Sequence, residues 1–138
     1  PSVLVVSDIP GMSQEISAEW GRRKGPPAAV TSVLPSDATP ELLSGARIIV
    51  GEPVTFAPLL AQHEEALKGL EWFQSTAAGM EPLVTHYQQK KAQDDRFQAP
   101  FVCTRVGGVF GPLMAEYVLG LVISEERHLL RMVEAQRQ

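Results

Sequence analysis

Short apolar runs alternate with amphipathic stretches along this chain. Val3-Leu4-Val5-Val6 is rich in β-branched residues and has no polar interruption, the pattern of a buried parallel strand, and Ser7-Asp8 and Pro10 end it. A helix is expected over 13–23, with Ile16 and Trp20 on one face and Gly25-Pro26-Pro27 as its stop. Ala28 to Leu34 predicts a second strand, Pro35-Ser36-Asp37 a turn, and Pro40 the start of a short helix through Leu43. Ile48-Ile49-Val50 predicts a third strand ended by Gly51, after which Glu52-Pro53 opens a loop. Ala57 to Leu67 reads as a helix with Leu59, Leu60, His63 and Leu67 near one face. Trp72 to Ser75 predicts the fourth strand, and Met80 to Lys91 a helix with Pro82 in its first turn, where a missing N–H costs nothing. Polar surface over 88–98 leads to a fifth strand at Phe101 to Thr104. After the glycine-rich Gly107 to Gly111, one long helix is expected from about Pro112 to the end. Its apolar stripe comprises Leu113, Met114, Tyr117, Val118, Leu121, Val122, Leu129, Met132 and Val133.

This alternation predicts an α/β fold: a flavodoxin-like parallel five-stranded sheet with flanking helices over 1–110, then one long C-terminal linking helix over 111–138. At about 26 residues that helix would be roughly 39 Å long. A 15.0 kDa domain cannot cover it. Its excess is expected to pack on another subunit, on another domain, or to stand in solvent.

Composition narrows the function classes. With 138 residues the chain is long enough for one domain with a real core and short for two. Its 44% hydrophobic and 20% charged content excludes a disordered tail. A net charge of −4 argues against nucleic acid and against an anionic membrane surface, because both need a basic face. The longest apolar stretch, Tyr117 to Ser124, is broken by Gly120 and too short to span a bilayer. The single Cys103 excludes an internal disulfide framework and a Cys-based zinc site, and fits a reducing, cytoplasmic compartment. The chain starts at Pro1 rather than Met and shows no signal peptide, so a processed product or a piece of something longer is expected.

Ligands of open α/β sheets bind beyond the carboxyl ends of the strands. The loops at 51–56, 76–80 and 105–111 fall there. Ser75-Thr76-Ala77-Ala78-Gly79 combines a strand end, small side chains and a helix start. Open backbone N–H groups and the helix dipole suit a carboxylate or phosphate. A tight βα turn with Ser75 or Thr76 capping the helix fits the same residues. Arg105 to Gly111 invites a dinucleotide reading but nearly fails it. Val106 stands where the first glycine belongs, and Glu125 and Glu126 fall inside a helix rather than at a strand end. No constellation supports catalysis or a metal. His63, His86 and His128 are scattered over three helices, with His63 expected at an interface or in the core and the other two solvated. Glu64-Glu65 and Glu125-Glu126 read as solvated faces, Cys103 as a buried inert thiol, and Arg22-Arg23-Lys24 as cations suited to a helix C-terminus. Arg105 stands where it could meet an anion or join a surface salt bridge.

Two segments go beyond a generic α/β pattern. Leu70-Glu71-Trp72-Phe73-Gln74-Ser75-Thr76-Ala77-Ala78-Gly79-Met80 resembles the strand and glycine turn in the first domain of D-isomer-specific 2-hydroxyacid dehydrogenases. The run from Thr104 to Gly120, with Gly107-Gly108-Val109-Phe110-Gly111-Pro112-Leu113-Met114-Ala115-Glu116-Tyr117, resembles that family's passage into its long interdomain helix. The glyoxylate/hydroxypyruvate reductase-like branch is the nearest. The likeness is specific from Leu70 to about Arg127 and loose before that, in strand order only.

The resemblance implies a substrate domain over 1–110, an interdomain and dimerisation helix over 111–138, and a Rossmann domain for NAD or NADP that this chain lacks. It implies that the backbone at Ala78 and Gly79, with Ala77 beside them and the Glu52-Pro53 loop bordering the cleft, holds the carboxylate of a small 2-oxo or 2-hydroxy acid. It also implies a homodimer through helix 112–138. The family's dinucleotide loop, ribose-binding acid, substrate-binding Arg, Glu and acid/base His all lie further along than Gln138. None carries over to Arg105, Glu116, His86 or His128, so the chain alone is expected to bind no cofactor and deliver no hydride. A naturally truncated, non-catalytic relative that serves as a dimerising or binding module is the alternative. A receiver-like regulator is weaker: it wants an acidic cluster at the strand ends, where Asp8 is the only aspartate and Glu52 a poor second.

Overall fold

A computed structural model describes residues 1–23 and 26–137. Lys24 of the basic run and Gly25 of the first helix stop lie outside the described residues. The chain runs β1 (Ser2–Val6), α1 (Met12–Arg22), β2 (Ala29–Val33), α2 (Pro40–Ser44), β3 (Ile48–Gly51), α3 (Pro53–Gln62), β4 (Trp72–Ser75), α4 (Glu81–Gln93), β5 (Val102–Thr104), α5 (Phe110–Glu126) and α6 (Leu129–Gln136). Single 3-10 turns lie at Pro35–Asp37 and Ala66–Gly69. It divides into two units, Pro1–Val106 and Gly107–Gln138.

The first unit is built on one five-stranded parallel sheet in the order β2-β1-β3-β4-β5. That is the flavodoxin-like order, in which the chain first adds β2 on one side of β1 and then the remaining strands on the other. Side chains of a strand alternate between faces. Leu4, Ile49, Phe73 and Cys103 therefore form one cross-sheet row, each opposite the next in register. Leu4, Ile49 and Phe73 join Leu43, Phe56, Leu60, Leu67, Leu83 and Phe101 in the main core. Phe56 stacks on Phe73 with ring centroids 4.1 Å apart. The opposite face is more polar towards β5. There Trp72 Nε1 donates to Thr104 Oγ1 at 2.6 Å, and that hydroxyl donates to Gln74 Oε1 at 2.6 Å.

The strands lie where the apolar runs predict them, but α3 does not lie where the sequence predicts a helix. It begins at Pro53 rather than Ala57, inside the expected loop, and ends at Gln62. Proline at the first turn has a preset φ and lacks only an N–H that would be unpaired. The buried stripe is Pro53, Phe56, Ala57 and Leu60, so Phe56 sets the register that Leu59 and His63 suggested incorrectly. His63 leaves helical geometry, and Leu67 packs from the separate 3-10 turn.

In the second unit the helical stretch starts at Phe110 and is interrupted where a continuous helix is expected. His128 adopts φ 51°, ψ 37°, and α6 starts after it. The last turn of α5 carries Glu125 and Glu126 and no cation, which opposes the helix dipole and weakens that end. Neither α5 nor α6 buries a side chain. Helices of 17 and 8 residues cannot enclose a core of their own, and Leu113, Met114, Tyr117, Val118, Leu121 and Val122 remain exposed.

Titration of the core margin gives a first prediction. Cys103 is half-buried, with its Sγ 3.9 Å from Tyr87 Oη. Burial raises the Tyr87 phenol, and the neighbouring Cys103 raises it further. Burial also raises the Cys103 thiol, against the lowering effect of the Tyr87 hydrogen bond. Both groups therefore keep their protons in the folded state after the unfolded chain has begun to lose them, above about pH 8.5 for Cys and 10 for Tyr. The unfolded state then binds fewer protons, so stability falls as pH rises through that range. Urea midpoints are expected to drop between pH 8 and 10.5, and to drop less in Tyr87→Phe. Equal drops in both proteins would refute the assignment.

Candidate functional site

Register brings three polar residues together at the carboxyl end of the sheet. Val6, Gly51 and Ser75 stand opposite one another across β1, β3 and β4. The next residue on each strand is Ser7, Glu52 and Thr76. Glu52 Oε1 accepts hydrogen bonds from Ser7 Oγ at 2.8 Å and from Thr76 Oγ1 at 2.9 Å. Ser7 Oγ in turn accepts from the Ile9 N–H at 3.1 Å, which shapes the loop after β1. Glu52 Oε2 is buried and has no partner among the described residues. The carboxylate, on the loop after β3, thus ties the loop after β1 to the loop after β4.

The loop after β4 is held by its own side chains. Ser75 is fully buried, and its Oγ donates to the Ala77 carbonyl at 2.7 Å while accepting the Ala77 N–H at 3.0 Å. The Thr76 N–H donates to the Gly51 carbonyl at 3.0 Å. Arg105, at the end of β5, donates from Nη1 to the Ala78 carbonyl at 2.9 Å. It forms no salt bridge among the described residues. Neither Ser75 nor Thr76 caps α4, whose cap position is Met80 without a side-chain bond.

These bonds sort the residues singled out from sequence. The Ala77 N–H is already committed to Ser75. The N–H groups of Ala78 and Gly79 have no acceptor among the described residues. Ala78 is half-buried and Gly79 exposed. Pro53 is buried in the first turn of α3, next to Glu52. A cavity of about 390 Å³ opens beside the loop, lined by Ala78, Met80, Glu81, Val84, Thr85 and Arg105. A larger concavity of about 650 Å³ is lined, among the described residues, by α1 and Arg23 after it, around Trp20, and by no residue of the loops after β3, β4 or β5. Of the scattered histidines, His63 and His86 are half-buried and His128 is exposed, so His86 is less solvated than its sequence position suggests. Arg22 and Arg23 pair with Glu19, Lys90 with Glu64, and Lys68 with Glu65.

Two features escaped the sequence reading. Glu81 packs its carboxylate over Gly79, so that a Cβ on Gly79 would fall 2.7 Å from Glu81 Oε2. Glu52 bridges two strands rather than merely bordering the cleft. The available signal was the equal phase of three strand ends: Ser7, Glu52 and Thr76 each follow the last apolar or small residue of a buried strand.

The Arg105 to Gly111 stretch does not fit a dinucleotide. Gly108 has φ 76°, as a phosphate loop tolerates, but Val106 carries a side chain where the tight turn calls for the first glycine. Helix α5 leads into α6, not into a strand whose end could carry a ribose-binding acid. No helix among the described residues is long and apolar enough to cross a membrane.

No family model matches the sequence. No curated protein matches it either. Among solved structures, the chain is similar to a D-isomer specific 2-hydroxyacid dehydrogenase family protein from Aeromonas salmonicida subsp. salmonicida A449, with 32% identity and a TM-score of 0.70. The match covers 99% of this chain and 39% of that one, so the chain spans about two-fifths of its length. Over nearly its whole length, the chain thus resembles in sequence and in fold one part of a D-isomer specific 2-hydroxyacid dehydrogenase family protein.

Proposed function

We propose that this chain is the substrate-binding portion of an NAD(P)-dependent D-2-hydroxyacid dehydrogenase of the glyoxylate/hydroxypyruvate reductase-like branch, acting in the cytoplasm on small 2-oxo acids. The observation that carries the reading is the pair of N–H groups at Ala78 and Gly79 without an acceptor among the described residues, at the carboxyl end of β4 in a chain that resembles this family. Two adjacent donors at a helix start suit one carboxylate and would hold it in place while hydride arrives from elsewhere. NAD or NADP would supply that hydride. The residues of this chain do not fit the dinucleotide, so the chain's own part is to bind and orient the acid. Ala77 and Pro53 would shape the site through packing, since the N–H of the first is taken and the second has none.

Gly79→Val tests the site. The branched side chain would displace Glu81 and cover the two donors. In the native protein that carries this segment, KM for glyoxylate is expected to rise about tenfold or more, the cost of losing a positioned contact. An unchanged KM would overturn the assignment. The native mass, read by blot and mass spectrometry with an antibody to this segment, is expected at more than twice 15.0 kDa.

The exposed apolar residues of α5 and α6 favour a second reading, in which the chain is a non-catalytic relative that dimerises through 112–138. A native mass near 15.0 kDa together with a stable dimer would select it. The same stripe would serve as a homodimer contact in the two-domain enzyme.

A further inference from the structure

We propose that Ser75 and Arg105 are positioning residues of the carboxylate site, each holding the carbonyl of one of the two peptides whose N–H groups meet the ligand. The inference rests on the reading that the acid's carboxylate sits at Ala78 and Gly79. A trans peptide unit is planar, so its carbonyl and its N–H point in opposite directions. A bond to the carbonyl of one residue therefore fixes the direction of the next residue's N–H. Ser75 Oγ donates to the Ala77 carbonyl at 2.7 Å, which sets the Ala78 N–H. Arg105 Nη1 donates to the Ala78 carbonyl at 2.9 Å, which sets the Gly79 N–H.

The two ties differ in kind. Ser75 is fully buried, and its hydroxyl also accepts the Ala77 N–H, so Ala77 is held through both of its backbone groups. The peptide between Ala78 and Gly79 has a single tie. Among the described residues its carbonyl accepts from Arg105 alone, and its N–H has no acceptor. Glycine rotates about φ at little cost. Without Arg105 that peptide plane is free to flip, and a flipped plane would turn a carbonyl oxygen towards the carboxylate. The guanidinium also adds a charge. Its bond is charge-assisted and polarises the peptide, which strengthens the N–H at the other end as a donor. Arg105 and Ala78 line the same cavity beside the loop, so the tie lies at the site itself.

Hydroxypyruvate is titrated into the 15N-labelled 138-residue chain, and the amide shifts of Ala78 and Gly79 are followed. Arg105 is exposed, so its replacement leaves the core intact. Arg105→Met keeps the aliphatic stem and removes the donors. It is expected to weaken binding about tenfold. At saturation Ala78 should still respond and Gly79 should not. Arg105→Lys keeps a charged donor and should stay within about threefold of the wild type. Ser75→Ala should show the reverse pattern, with the Ala78 response lost. The Arg105 variants report even where Ser75→Ala folds poorly. An arginine that only stabilised the fold would lower the urea midpoint when replaced and leave the Gly79 response unchanged. If Arg105→Met binds as tightly as the wild type with both amides responding, the role of Arg105 is overturned and the carboxylate site stands. If neither amide moves in the wild-type chain, the carboxylate site fails and this inference with it.

Discussion

Phe73→Ala is expected to destabilise the protein by about 4 kcal/mol, measured as the shift in equilibrium urea unfolding. Phe73 is fully buried on β4, between β3 and β5. Its ring stacks on Phe56 at 4.1 Å and nearly parallel, and Phe56 makes an edge contact with Phe101 at 5.9 Å. Truncation removes one wall of that aromatic cluster, and the flanking β3 and β5 cannot close the gap because both are hydrogen-bonded to β4. Small domains have only about 5–15 kcal/mol in total, so the variant should be near its unfolding threshold. Phe73→Leu keeps most of the volume and should cost about 1–1.5 kcal/mol. A loss below about 1 kcal/mol for Phe73→Ala would mean that this cluster is not the core. The effect reaches the site through the chain, since Ser75 and Thr76 continue the same strand.

The inner strands were legible in the sequence because a parallel strand covered on both faces needs an uninterrupted apolar run, and Val3 to Val6 and Ile48 to Val50 supply them, while β5 at the sheet edge leaves Val102 exposed. The turn after β4 was legible for a related reason: small residues between a strand and a proline-started helix leave few alternatives. What escaped was set by contacts between distant segments. Phe56 fixes the register of α3 by stacking on Phe73, and no local period reveals that partner. Glu52 reads locally as a polar residue before a proline. Only the register of β1, β3 and β4 shows that its carboxylate meets Ser7, 45 residues away, and Thr76, 24 residues away. The interruption at His128 is the reverse case, a local event inside an apolar stripe that periodicity alone runs straight through.

The two glycines of the site should respond in opposite ways, and Gly51→Ala carries the larger loss of stability, about 3 kcal/mol. Gly51 ends β3 opposite Val6, and an added Cβ would collide with the Val6 carbonyl oxygen. That oxygen belongs to the backbone of β1, so relief requires β1 and β3 to separate rather than a side chain to turn. Gly51 also accepts the Thr76 N–H through its carbonyl at 3.0 Å and precedes Glu52. Moving it should therefore loosen the hydroxyl–carboxylate bridge along with the sheet. At Gly79 the obstacle is the end of a flexible side chain, Glu81 Oε2, which can swing away. Gly79→Ala should leave the urea midpoint almost unchanged, within about 0.5 kcal/mol in stability. Its amide should nonetheless respond less to hydroxypyruvate. Paired unfolding and titration measurements on the two variants separate a glycine needed for the approach of two strands from one needed for the approach of a ligand. If Gly79→Ala lost as much stability as Gly51→Ala, the loop would be a structural turn and its free N–H groups would need another explanation.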